Sequence, residues 1–327
     1  MRVSTPAAKG RAETFDGAWA VGLCLLPVAL AWVARLTGWA DLASVRNWLT
    51  VFVAVTLQAF PFLVLGVAIS ATIAVFVPPG AIQRVLPKRP LFAVPVACVA
   101  GAALPGCECG SVPIAGRLVS GGAPGPAALA FMLAAPAVNP VVLVATSIAF
   151  PNRPAMVAAR FIASFLTAAI MGWIWMRREP VQAVGRPTHD HEHGGSVVGW
   201  MNVVLDDFLH TAGFLVIGAA GAATLQTVVP RSVLDGLAGN GVAAVLVMAA
   251  LAVLLAVCSE ADAFVASGLT QFSLTARLVF MVVGPVVDVK LVAMQVATFG
   301  RRFAIRFSSV TLVVAIAVAA LVGAVLL

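Results

Sequence analysis

The sequence predicts an all-α integral membrane protein, a polytopic bundle of about 8–9 transmembrane helices with an internal two-fold repeat and two broken or re-entrant helices. Three observations predict it. Of 327 residues, 61% are hydrophobic and only 10% are charged, with a mean hydropathy of +1.05. A soluble domain carries about 25% charged residues to cover its surface, so the natural solvent of this chain is hydrocarbon. Its apolar residues gather in runs of about 20, the length that crosses a bilayer. The pattern of the first half then returns in the second.

Residues 1–47 read as an N-terminal tail and a first transmembrane helix. Arg2, Lys9 and Arg11 precede an apolar run at 18–36, and without a clear small-residue cleavage site after it the run reads as an uncleaved span. Eight more candidate segments lie at 48–77, 91–120, 125–149, 155–177, 202–229, 240–270, 276–298 and 304–327. Residues 48–177 read as a first repeat with a linker helix, 178–199 as a polar His-rich loop, 200–300 as a second repeat, and 301–327 as a C-terminal transmembrane helix. Segments 91–120 and 240–270 are too long for one clean crossing and are polar in the middle.

The net charge of +7 does not point to nucleic acid. Lys and Arg lie in short clusters between apolar runs, such as Arg84, Lys88 and Arg89, or Arg301, Arg302 and Arg306. Loops flanking membrane helices look like this, and no basic stripe exists to track a phosphate backbone. With nine crossings, the positive-inside bias places the N-terminus inside; a re-entrant hairpin would reverse the orientation of the later helices.

The repeat rests on three anchors in one order. Residues 57–66 match 209–218, ending on Gly66 and Gly218, and the match continues through Thr72 against Thr224 to Pro78 against Pro230. Cys107 aligns with Cys258. Phe131, Met132 and Pro136 align with Phe280, Met281 and Pro285, a frame that sets Asn139 on Asp288. Transporters built from such repeats hold substrate at the repeat interface near the bilayer midplane.

Each half carries a polar knot inside a long apolar run. The first is Leu104-Pro-Gly-Cys-Glu-Cys-Gly-Ser-Val-Pro113, the second Val257-Cys-Ser-Glu-Ala-Asp-Ala263. Pro105, Gly106, Gly110 and Pro113 are expected to break the helix, and unwinding lets Cys107 and Cys109 converge, which residues two apart on an intact helix cannot do. Thiols so placed suit soft-ligand binding or redox work. Glu108, Glu260, Asp262 and Asp288 fall inside candidate spans. Each such charge costs about 3 kcal/mol at a helix centre, so intramembrane acids mark a pathway or a packing network. Lys290 is the expected charge partner, holding Asp262 or Asp288. Cys24 and Cys98 read as small apolar fillers.

Asn139-Pro140 with Pro136, and Asp288 with Pro285, mark a second pair of weakened helices. There the side chain either presents a ligand or satisfies a plain kink. His189, His191 and His193 form either an accessory metal loop or a solvated linker. Asp206, Asp207 and His210 read as an entry site or as an interfacial helix start.

The stretches Leu104–Ala115, Ala135–Pro140 and Cys258–Phe264 resemble signature segments of a family of predicted bacterial permeases that includes the organoarsenical efflux permease ArsP, over roughly residues 48–300. The resemblance implies a multi-pass permease of the bacterial inner membrane. Arsenical members export trivalent organoarsenicals through cysteine thiols, and the matching candidates are Cys107, Cys109 and Cys258; the Cys-Glu-Cys knot sets this chain nearer another branch. The expected function is transport of a thiophilic or divalent metal ion or a trivalent metalloid through a midplane Cys/carboxylate site, by alternating access. The alternative is a transmembrane thiol–disulfide electron carrier. No enzymatic activity is expected, since His-Glu-x-x-His, Gly-x-Ser-x-Gly and nucleotide-loop motifs are missing from the sequence. No permanently bound cofactor is expected. The expected partners are the lipid bilayer, the transported ion, and a second membrane subunit or a further copy of the chain.

Overall fold

The computed structural model of the chain describes residues 43–76, 87, 90–103, 108–178, 181, 197–228 and 241–327. The predicted span at 18–36, Cys107 and the His189, His191 and His193 loop lie outside the described residues.

Every regular element among the described residues is a helix. The first half runs α1 (Ala43–Phe76), α2 (Pro90–Ala102), α3 (Glu108–Ser120), α4 (Gly125–Val138), α5 (Pro140–Ala149) and α6 (Pro154–Trp175). The second runs α7 (Val197–Val228), α8 (Gly241–Leu255), α9 (Asp262–Gly268), α10 (Leu274–Val283), α11 (Val289–Phe299) and α12 (Arg301–Leu326). Among the described residues, five stretches are long and apolar enough to cross a membrane: Val45–Ile73, Gly125–Ala149, Pro154–Trp175, Gly199–Thr224 and Arg301–Leu326. The helices α10 and α11, too short singly, succeed one another as a broken crossing.

Local chemistry explains the breaks. Asn139 ends α4 and caps α5 by accepting from the Val142 amide at 2.9 Å, with Pro140 at the first helical position. Asp288 caps α11 by accepting from Leu291 N. A short polar side chain and a proline at a helix start satisfy or remove amides that have no partner in the helix. Gly110 and Pro113, expected to be part of the first break, lie inside α3 instead. Pro113 is the sixth residue of that helix, so the lost amide falls only one turn beyond its start and the helix continues through it.

The long helices α1 and α7 pack together in opposite directions. Trp48, near the start of α1, donates to Thr224 near the end of α7 (3.0 Å), while Trp200, near the start of α7, donates to Thr72 near the end of α1 (3.1 Å). Neighbours also fix the direction of α3. A methyl group on Gly66 would overlap the backbone of Gly110, and Ser70 one turn later donates to the Pro113 carbonyl. So α3 runs parallel to α1 and ends on the side where α1 ends and α2 begins. Segment 90–120 therefore enters and leaves on one side as a re-entrant hairpin.

The second half obeys the same logic. Gly218 abuts Lys290 and Gly221 abuts Val289, so α11 runs antiparallel to α7. The broken crossing α10–α11 thus starts on the side where α7 ends, and segment 241–273 is also re-entrant. Nine plain crossings would have set α1 and α7 parallel; the two polar knots turn their segments back instead, so complete crossings are fewer than apolar segments. The hairpins come from opposite sides, and their tips, around Glu108 and around Ala256–Asp262, meet inside the bundle. Small residues such as Ala130, Ala134, Ala163 and Ala168 fill the core around them, which lets membrane helices approach closely.

Candidate functional site

Glu108 opens α3, where the positive end of the helix favours an acid. It is fully buried, as are Asp288 and Lys290, and Asp262 is nearly so. Lys290 lies in the first turn of α11, a place that disfavours a cation. Its neighbours compensate. Lys290 Nζ is 2.6 Å from Glu108 Oε1 and 3.5 Å from Asp288 Oδ2. It also donates to the Ala256 carbonyl at 2.9 Å and to Cys258 Sγ at 3.7 Å. Three parts of the fold thus converge on one ammonium: the tip of the first hairpin, the cap of α11, and both the backbone and the thiol of the second hairpin's tip.

Ala256 is the strained element. It has φ of 47°, a left-handed backbone that an alanine seldom adopts and that costs on the order of 1–3 kcal/mol. The turn ends α8 and aims the Ala256 carbonyl at Lys290. The rest of the tip is held from the other side. Arg160 on α6, fully buried, donates to Asp262 Oδ2 at 2.8 Å and to the Ser259 carbonyl at 3.1 Å through Nη2, and to Thr146 Oγ1 at 2.8 Å through Nη1. Unwound backbone inside a membrane is tolerated only where something satisfies it; here two buried cations do.

The candidate residues therefore divide. Glu108, Asp288, Cys258 and Lys290 come together. Asp262 belongs to a separate ion pair with Arg160, so of the two acids expected to pair with Lys290, Asp262 or Asp288, it is Asp288 that faces the ammonium, together with Glu108. Glu260 lies in the turn between them, half-buried. Cys109 is the second residue of α3 and is buried. Asn139 donates its amide to Ala135 O at 3.0 Å and accepts from Val142 N, so both ends of the side chain engage backbone. Asp288, in the matching position, spends one oxygen on its helix and turns the other toward Lys290. Asp207 pairs with Arg117 at 2.7 Å near the membrane end of α3, and Asp206 is exposed. Cys98 sits in the apolar core of α2.

Several buried acceptors exceed what these cations serve. Among the described residues, Glu108 Oε2, Glu260 Oε2, Asp262 Oδ1 and the Ser259 hydroxyl have no hydrogen-bond partner. Such atoms are costly in an apolar interior. Yet no three His, Cys, Asp or Glu side chains among the described residues gather closely enough to hold a metal ion. The point on which Glu108, Asp288 and Cys258 converge is taken by the lysine.

Sequence reasoning missed Arg160 and Ala256. Arg160 had a signal, being the one charged residue between Pro154 and Trp175. Ala256 had none, since nothing in an alanine announces a left-handed turn.

Residues 44–324 match the ArsP_1 family, described as predicted permeases. The chain belongs to this family. It is 37% identical over 278 residues to the UPF0718 protein YcgR of Bacillus subtilis (strain 168), covering 83% of this chain and 94% of that one. It is 30% identical over 290 residues, 86% of this chain and 96% of the other, to a Streptococcus mutans serotype c (strain ATCC 700610 / UA159) protein named as a proposed two-component membrane permease complex subunit. No solved structure matches. As an ArsP_1 permease, the chain is a multi-pass, all-α protein of the cell membrane, and its family places it with transporters rather than enzymes.

Proposed function

We propose that this permease carries a thiophilic or divalent metal ion, or a trivalent metalloid, through a midplane site formed where the two re-entrant tips meet. The observation that carries the reading is the convergence of Glu108, Asp288, Cys258 and the Ala256 carbonyl on one buried positive charge. Carboxylate, thiol and carbonyl donors suit borderline and soft cations, and intramembrane ionisable groups of this kind mark an ion pathway. Cys109 on α3 adds sulfur on the first side, and Cys107 precedes it by two residues in the sequence.

The two halves are read as inverted repeats. The Trp48–Thr224 and Trp200–Thr72 bonds are reciprocal, and Asn139 and Asp288 cap corresponding helices. Halves related in this way give alternating access by rocking against each other around a central site. The Streptococcus relative's name also supports a second membrane subunit as partner of this chain.

The test is flux in proteoliposomes, with Cd²⁺ and arsenite as probes, for the native chain and for a variant with Cys107, Cys109 and Cys258 changed to Ser. The native protein should move at least one probe, and the variant should lose at least tenfold in rate. Equal flux in both would sink the thiol site.

A further inference from the structure

We infer that the Lys290 ammonium is a built-in competitor for the cation position, and that a transported cation enters by displacing it. The inference deepens the permease reading above and rests on it. An ammonium carries three N–H donors, but four acceptors face Lys290 Nζ: Glu108 Oε1 at 2.6 Å, the Ala256 carbonyl at 2.9 Å, Asp288 Oδ2 at 3.5 Å and Cys258 Sγ at 3.7 Å. The lysine therefore underserves its own cage. This set of oxygen and sulfur donors comes from both hairpin tips and the α11 cap, and it must close in from the spacing the lysine imposes before it can ligate a metal ion.

The charges point the same way. Among the described residues, the cations near Glu108, Glu260, Asp262 and Asp288 are Arg160 and Lys290, so this cluster carries two more negative than positive groups when all are ionised. A divalent cation that takes the lysine's place leaves the cluster closer to neutral than before, and its higher charge draws the donors in more strongly than the ammonium does. Arg160 cannot play the same part. Its planar fork is committed to Asp262, Ser259 O and Thr146, whereas a lysine is a point charge on a flexible stem that can swing aside. A resident ammonium also keeps the acids from stranding uncompensated charge when no substrate is bound, which gives the permease a closed resting state. Selectivity results, because only a cation that outcompetes a tethered ammonium enters.

The experiment measures Cd²⁺ binding by calorimetry to the purified full chain in nanodiscs. Lys290→Gln should bind at least tenfold more tightly than the native chain, and Lys290→Arg should stay as weak as the native chain. Because Lys290→Gln strands two buried acids, the pair Asp288→Asn and Asp288→Asn/Lys290→Gln is compared as well. Asn keeps the helix cap, the double variant removes one charge of each sign, and it should bind more tightly than Asp288→Asn alone. If the native chain binds Cd²⁺ and loss of the lysine leaves affinity equal or lower in both comparisons, Lys290 is a fixed counter-ion; the displacement idea then falls while the permease reading stands. If no form binds Cd²⁺, the displacement idea falls, and arsenite flux decides the transport reading separately.

Discussion

The indole N–H of Trp48, near the start of α1, meets the hydroxyl of Thr224, near the end of α7, at 3.0 Å. Its mirror is the bond from Trp200 to Thr72. Together they fix the two long helices antiparallel, with a tryptophan toward each end of the bundle, where membrane proteins place their interfacial aromatics. The direction of α3 along α1 then makes segment 90–120 a hairpin. Single cysteines in an otherwise cysteine-free chain check this. Cysteines at Arg46, Asn152 and Thr270, all exposed, should react with a membrane-impermeant maleimide from one side of the membrane. Cysteines at Ser120 and Arg178 should react from the other. Labelling of positions 46 and 120 from the same side would mean that segment 90–120 crosses.

Two glycines bracket the ion pair. A methyl group on Gly66 would overlap the Gly110 backbone two residues from Glu108, and one on Gly218 would overlap the Lys290 backbone. Backbone cannot yield as a flexible side-chain tip can, so Gly66→Ala and Gly218→Ala should each destabilise the protein by about 1–3 kcal/mol. Gly213→Ala on the same helix as Gly218 meets nothing within 4 Å and should be near neutral. Thermal unfolding in detergent compares the three. A Gly213→Ala variant as unstable as Gly218→Ala would show that helix bending, not close approach, governs these positions.

Asp207 and Arg117 join α7 to α3 near a membrane end, with side chains 10% and 24% exposed. A pair this close to water contributes little, about 1 kcal/mol. Asp207→Asn should therefore lower stability only slightly, and the exchanged pair Arg117→Asp/Asp207→Arg should recover most of the loss. An entry-site role for Asp207 predicts otherwise: the exchanged pair would restore thermal stability but not cation flux, and flux against melting temperature separates the two.

Much of this organisation was legible in the sequence. Apolar length marked the helices, and Pro140, Asn139 and Asp288 marked breaks because proline and capping side chains act locally. The likeness of residues 57–66 to 209–218 drew attention to Gly66 and Gly218, and each comes close to backbone, Gly66 to Gly110 and Gly218 to Lys290, while Asn139 and Asp288 each cap a helix. Direction was not legible, since an apolar run of about 30 residues is equally a crossing or a hairpin until its neighbours are known. Charge partners were not legible either. Lys290 stands two residues from Asp288 in sequence but pairs most closely with Glu108, 182 positions away, and Arg160 reaches Asp262 across the halves of the chain. Ion pairs are set by tertiary approach, which sequence spacing does not encode.

That last pair carries the strongest stability prediction. Arg160 and Asp262 are buried to 0% and 1% side-chain exposure, 2.8 Å apart. Removing one member leaves the other charged in an apolar interior, at a cost of about 3–5 kcal/mol. Arg160→Leu has a further consequence, because it also strips the Ser259 carbonyl and Thr146 of their donor. Asp262→Leu leaves the Arg160 contacts to Ser259 and Thr146 in place. The expected order of stability is native, then Asp262→Leu, then Arg160→Leu, measured by unfolding in detergent. The double variant Arg160→Leu/Asp262→Leu should be more stable than Arg160→Leu alone, since no charge is then stranded, but it should still fall short of native because the Ser259 carbonyl stays unserved. If the two single losses instead add up in the double variant, the pair is not coupled and the unwound tip is held by something other than Arg160.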